Sequence, residues 1–182
     1  MTTKDDKSRE HFHGEHDVLN VMGEAYEKLY EDVAENLHHA EEKTESLFNK
    51  LLHEAKDKVR ELKEISEEDA DKVAAWVKRD MKDAAHYLSD SGNELQDWFG
   101  FETALVENKL LDLFARAADK TTIELLRFNE KSMRDAVYRT GEVTGPATLK
   151  CDACGEILQF RRAGKIPPCP KCHEPRFHRV LK

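Results

Sequence analysis

Two Cys-x-x-Cys pairs near the carboxy terminus constrain this chain more than any other feature. Cys151 and Cys154 form the first pair, Cys169 and Cys172 the second, with 14 residues between the pairs. Each pair makes a tight turn that aims two sulfurs at one ion, and the intervening length suffices for a hairpin that closes a tetrahedron. Four thiolates saturate tetrahedral Zn²⁺ and leave no position for water or substrate, so the expected cofactor is one structural Zn²⁺. Iron in a four-sulfur site uses the same geometry. A catalytic site would need one cysteine to stand aside for His173 or His178, which the four-cysteine set does not require. Two closely spaced pairs in a reducing compartment act as metal ligands rather than disulfides, so a cytoplasmic location is expected.

Around these cysteines the sequence predicts a small β module. Glu156–Arg161 suits a strand, Gly164 and Lys165 a turn, Ile166 a return, and Arg176–Val180 a final strand. A unit this short cannot bury enough apolar surface to fold unaided, so the metal must supply much of its folding free energy, of order 10 kcal/mol. Gly155 suits a knuckle that needs positive φ.

The rest of the chain has helical periodicity. Residues 1–15 are expected to be a flexible tail, 16–140 an acidic helical domain and 141–182 the zinc-ribbon domain. Val18, Met22, Ala25, Leu29, Val33, Leu37, Ala40, Thr44, Leu47, Leu51, Ala55, Val59 and Leu62 recur at three- and four-residue steps, predicting one helix over 16–63. Ser66 followed by Glu67, Glu68 and Asp69 marks the start of a second helix, ended by the Asp90–Asn93 stretch. A third is predicted over 94–139, with Gly141 as its cap. The expected fold is therefore mostly α: an elongated antiparallel helical hairpin or three-helix, coiled-coil-like body with a small carboxy-terminal β zinc ribbon. A homodimer is the competing way to bury leftover apolar stripe.

Charge divides along the same boundary. Residues 1–140 hold 21 Lys and Arg against 33 Asp and Glu, whereas 141–182 hold 8 against 4. The acidic body repels phosphate backbones, so nucleic-acid contact would fall to the tail. There Lys150, Arg161, Arg162, Lys165, Arg176 and Arg179 interleave with Phe160 and Phe177, a set suited to a protein partner or to RNA or DNA. Packing within the miniature core is the alternative use of those rings. Trp98 with Phe99, and Tyr26 with Tyr30, are expected to pack in the helical core rather than form interaction sites. Glu35 and His38 make a single Glu-x-x-His step with no second copy, so a di-metal bundle site is not expected. The His11, His13 and His16 cluster is read as a tail without a metal role. No apolar run approaches the roughly 20 residues of a membrane span, and no secretory core opens the chain. Phosphate loops and the common hydrolase motifs are missing too, so the expectation is a non-enzyme that serves as an adaptor or regulator.

The Cys-Asp-Ala-Cys-Gly and Cys-Pro-Lys-Cys-His segments, joined to an acidic helical body with matching stretches at Tyr26–Val33 and at Trp98 and Phe99, carry a resemblance. The chain resembles a bacterial zinc-ribbon-containing family known as domain of unknown function 1451. That resemblance implies four metal-ligating cysteines at Cys151, Cys154, Cys169 and Cys172, a cytoplasmic protein, and no established activity.

Overall fold

A computed structural model describes residues 10–88, 95–100 and 136–180, with residues 10–20, 86, 95 and 96 as backbone alone. Three long helices come first: α1 (Glu10–His39), α2 (Glu45–Lys63) and α3 (Glu67–Leu88). The expected single helix over 16–63 is in fact two, and its start lies within the segment expected to be tail. Thr44 explains the break. Its backbone is extended at φ −124° and ψ 158°, and its side chain accepts from the Leu47 N–H at 3.2 Å. A cap satisfies one of the donors that a helix start leaves without a partner. His38 and His39 occupy the last turn of α1, and Glu45 the first turn of α2, where each suits the local helix dipole.

Folding the stripe back on itself buries most of its described part within the chain, leaving Leu62 exposed. Lys63 meets Glu24 at 2.6 Å and Lys58 meets Asp32 at 2.9 Å, so α2 runs antiparallel to α1. Lys56–Asp71 at 2.7 Å and Lys78–Asn49 at 3.0 Å set α3 antiparallel to α2. Between them lie Tyr26, Leu29, Tyr30, Val33, Phe48, Val59, Val73, Val77 and Met81, all buried in one apolar core. Ser66 caps α3 as its sequence predicts, accepting from the Asp69 N–H at 3.1 Å.

A short helix, α4 (Leu95–Phe99), ends at Gly100 with φ +74°. A Cβ at Gly100 would stand 2.7 Å from the Val180 carbonyl oxygen and 2.9 Å from Thr148 Cβ, so only glycine fits there. The third helix expected over 94–139 therefore does not run unbroken. It turns at Gly100, residues 101–135 lie outside the described part, and Val137–Arg139 is a strand. Gly141, expected as a helix cap, instead sits at φ +94° in the turn after that strand.

Six short strands follow: β1 (Val137–Arg139), β2 (Val143–Thr144), β3 (Ala147–Cys151), β4 (Ile157–Phe160), β5 (Gly164–Lys165) and β6 (Arg176–Arg179). Four form an antiparallel sheet in the order β1-β6-β3-β4, while β2 and β5 pair separately. Tyr138, Ala147, Leu149, Ile166 and Phe177 make a second small core beneath that sheet.

A buried polar seam fastens the sheet to the helices. Asp80 on α3 is 0% exposed and accepts from Tyr26 Oη at 2.7 Å, Thr144 Oγ1 at 3.3 Å and the Gly145 N–H at 3.1 Å. Arg79 reaches Asp80 through Nε at 2.9 Å, donates to Glu142, and donates to the Val143 carbonyl at 3.0 Å. One turn on, Asp83 accepts from Trp98 Nε1 at 3.1 Å and Tyr138 Oη at 3.0 Å and is ion-paired with Arg179, whose Nε lies 3.0 Å away and donates to Tyr138 Oη at 3.1 Å. The Arg179 guanidinium also lies 3.7 Å from the Trp98 ring centroid and donates to the Pro146 carbonyl at 3.0 Å. Removing one partner from such a seam leaves a buried charge uncompensated, which costs far more than an exposed ion pair contributes.

Burial pushes the Asp80 carboxyl up, but the Arg79 and Arg179 charges and the Tyr26 and Gly145 donors hold it below its usual 3.8. A depressed native value contributes stability above the unfolded value and loses it as pH falls through the native one. Asp80→Asn is therefore expected to cost about 3 kcal/mol near neutral pH. Urea unfolding of both proteins with excess zinc checks this: the gap should stay constant from pH 8 to 5 and narrow below about pH 4. A gap under about 1 kcal/mol at neutral pH would mean that the seam does not hold Asp80 as a paired charge.

Candidate metal centre

Local backbone geometry builds the two cysteine turns to one plan. In the first, the Gly155 N–H donates to the Cys151 carbonyl at 3.0 Å and the Cys151 N–H to the Glu156 carbonyl at 2.8 Å. In the second, the His173 N–H donates to the Cys169 carbonyl at 2.9 Å and the Cys169 N–H to the Glu174 carbonyl at 3.2 Å. Gly155 has φ +75° and His173 φ +61°, so both turns place a left-handed residue directly after the second cysteine. Glycine takes that conformation freely, whereas histidine occupies it at some cost.

The four sulfurs converge. Cys151 Sγ lies 3.5 Å from Cys172 Sγ, and Cys154 Sγ lies 3.5 Å from Cys169 Sγ. All four stand within 4.8 Å of one another. A tetrahedron with Zn–S bonds of about 2.3 Å has edges of about 3.8 Å, so the donor set fits one zinc ion with little rearrangement. Cys151 and Cys169 are buried, Cys154 is half-buried and Cys172 is exposed. The site thus lies at the edge of the sheet, open on one side to solvent but closed in ligand number.

Protonation supports the same fit. Burial raises the Cys169 thiol, yet the Cys172 and Lys171 backbone N–H groups and the neighbouring sulfurs bring it down to about 7. The Glu174 N–H favours the Cys172 thiolate, but burial and the other three sulfurs push that thiol up to about 12. Four crowded sulfurs cannot all ionise alone, and a divalent cation reverses that balance. When bound, the metal supplies folding free energy to the sheet. The Lys171, Cys172 and Glu174 backbone N–H donors moderate the charge of the thiolates.

The structure separates the other residues proposed from sequence. Lys150, Arg161, Arg162, Lys165 and Arg176 are exposed, Arg176 pairing with Glu174 at 3.0 Å. Phe160 is half-buried against the ribbon core. Phe177 and Arg179 correct the surface expectation: Phe177 is 0% and Arg179 8% exposed, because β6 alternates and turns both into the seam and core. Trp98, Phe99, Tyr26 and Tyr30 pack in the helical core, as expected. His173 and His178 do not join the sulfur cluster; His178 Nδ1 instead meets Asp152 at 2.8 Å. The side chains of His11, His13 and His16 lie outside the described ones. Asp80, Asp83 and Tyr138, which mount the metal module, were missed. Their signal was faint: Asp80 falls three residues after Val77, on the apolar face of α3.

Fold and site together define a zinc-ribbon protein, a metal-stabilised sheet mounted on a helical body. The chain belongs to the family described as zinc-ribbon containing domain, domain of unknown function 1451, whose profile matches residues 35–181. It is similar to the uncharacterized protein YbeL of Escherichia coli K12, with 25% identity over 161 residues covering 88% of this chain and 97% of YbeL. The YbeL proteins of the O6:H1 and O157:H7 strains match to the same extent. No solved structure matches the chain.

Substitution at His173 separates a backbone role from a ligand role. His173→Gly should retain one zinc per chain with stability within about 1 kcal/mol of wild type. His173→Val should cost about 1–2 kcal/mol, because a β-branched residue resists positive φ. Zinc content and thermal unfolding check both. Loss of zinc from the glycine variant would make His173 a ligand.

Proposed function

We propose that this protein is a non-enzymatic adaptor or regulator that docks a protein partner, with the zinc ribbon as a fixed platform on the helical body. The observation that carries this reading is the seam of Asp80, Asp83, Arg79 and Arg179. It ties the ribbon to α3 at one orientation, and a rigid, oriented surface loses less freedom on binding than a loosely tethered one. A saturated four-sulfur site supports it as well, since such a site holds structure and offers no open coordination position. None of the described helices is long and apolar enough to cross a membrane. We place the protein in the cytoplasm, where thiols stay reduced and available to metal.

RNA or DNA binding by the ribbon is the second reading, and it is supported by the exposed Lys150, Arg161, Arg162 and Lys165. It is weakened by burial of Phe177, because sequence-tolerant binding of single strands uses exposed rings as stacking platforms.

Affinity capture from bacterial lysate, with wild type beside a Cys151→Ser and Cys154→Ser double variant, tests the adaptor reading. Proteins held by wild type should be lost from the variant, while treatment with nuclease should leave the wild-type set unchanged. Identical partner sets would contradict ribbon-mediated docking. Partners that disappear with nuclease would favour the second reading.

A further inference from the structure

Strand register places four residues in one row across the outer face of the ribbon sheet. Val137 on β1 stands opposite His178 on β6, His178 opposite Lys150 on β3, and Lys150 opposite Ile157 on β4. All four are exposed, in contrast to Tyr138, Phe177 and Leu149 on the inner face. Val137 is 43% and Ile157 52% exposed, and these are two of the three exposed large apolar side chains among the described residues. Both therefore stand at the ends of one row, about 14 Å apart at the usual strand spacing. Two β-branched side chains left open on edge strands are a liability unless something covers them.

The centre of the row is cationic. Lys150 has no ion-pair partner among the described residues, and its stem passes beside Gly155 of the first cysteine turn. Arg139 lies two residues from Val137 on the same face and is likewise exposed and free of an ion pair among the described residues. The acids nearby are already engaged, Asp152 by His178 and Glu174 by Arg176. The face therefore offers free positive charge between two apolar ends.

We propose that this outer face binds an extended, acidic peptide segment of a partner protein, with the pattern apolar–x–acid–x–apolar. In an extended chain residues i, i+2 and i+4 share one side, and i and i+4 are about 13 Å apart. Such a segment laid across the strands sets its two apolar side chains over Val137 and Ile157 and its carboxylate over Lys150. A nucleic acid fits less well. It would bring many charges and bases to a face where Asp152 and Glu174 also lie, and whose one described ring, His178, is held by Asp152. The proposal rests on the docking reading above and names its surface and its partner class.

Fluorescence anisotropy with full-length, zinc-loaded protein tests it. The probe is a labelled peptide carrying two Val-Ser-Glu-Ser-Val units, compared with the same peptide carrying lysine for glutamate and with labelled oligouridylate. The acidic peptide should bind, the lysine peptide should not, and Lys150→Glu or Ile157→Asp should each weaken binding about tenfold. Zinc content and unfolding of both variants should match wild type, since both side chains are exposed. Absence of acidic-peptide binding, equal binding of the lysine peptide, or no effect of either variant would overturn the proposal, as would oligouridylate binding more tightly through the same residues. Lysate capture with Ile157→Asp distinguishes the two levels. Partners retained by this variant but lost from the cysteine variant exclude this face and leave ribbon docking standing.

Discussion

Closure of four sulfurs on one ion is the constraint from which the carboxy-terminal structure follows. The strands near the metal are the strands that meet the helical body. β3 ends at Cys151, and the Thr144–Gly145 segment before it donates to Asp80. β6 begins four residues after Cys172 and ends at Arg179, which is buried against Asp83, Tyr138 and Trp98. Fixing the sulfur end fixes the pairing of Leu149 with Arg179, and so the point at which the guanidinium enters the seam. A sheet of strands this short has too little apolar area to hold that register without the metal.

The seam between sheet and helices is polar where an apolar contact would be easier to stabilise. Desolvating Asp80, Asp83, Arg79 and Arg179 is costly, and hydrophobic replacements in such positions are often neutral or stabilising. Directional hydrogen bonds do what apolar packing alone does less strictly: they admit one orientation. Asp80 accepts from α1, from the β2–β3 turn and from its neighbour Arg79, so three separate parts of the chain must be in place together. Arg179 adds α4 to the same arrangement through Trp98. Body and ribbon are thereby a single structural unit in the described residues, although their charges and compositions differ.

The metal ligands, the helical character of the body and the ribbon strands at Glu156–Arg161 and Arg176–Val180 were legible in the sequence, since each rests on short spacing. Connections that depend on tertiary contact were not. Periodicity ran through the break at residues 40–44 because a stripe that folds back keeps its step. Thr44 followed by Glu45 was the local sign of a new helix start. The strand at Val137–Arg139 was obscured because it pairs with β6 about forty residues away, a contact that no local propensity reports. Arg179 and Phe177 looked like surface groups from composition, but the two-residue alternation of β6 places them inward beside the exposed Arg176 and His178. Among the described side chains of α3, Asp80 was the buried polar residue on the apolar face that could have announced a buried partner.

Zinc K-edge X-ray absorption on the purified full-length protein is the most direct test of the closed site. The account predicts one zinc per chain with four sulfur neighbours at about 2.3 Å and no light-atom scatterer in the first shell. A nitrogen or oxygen neighbour at about 2.0 Å, or protein that folds its sheet with no bound metal, would contradict it.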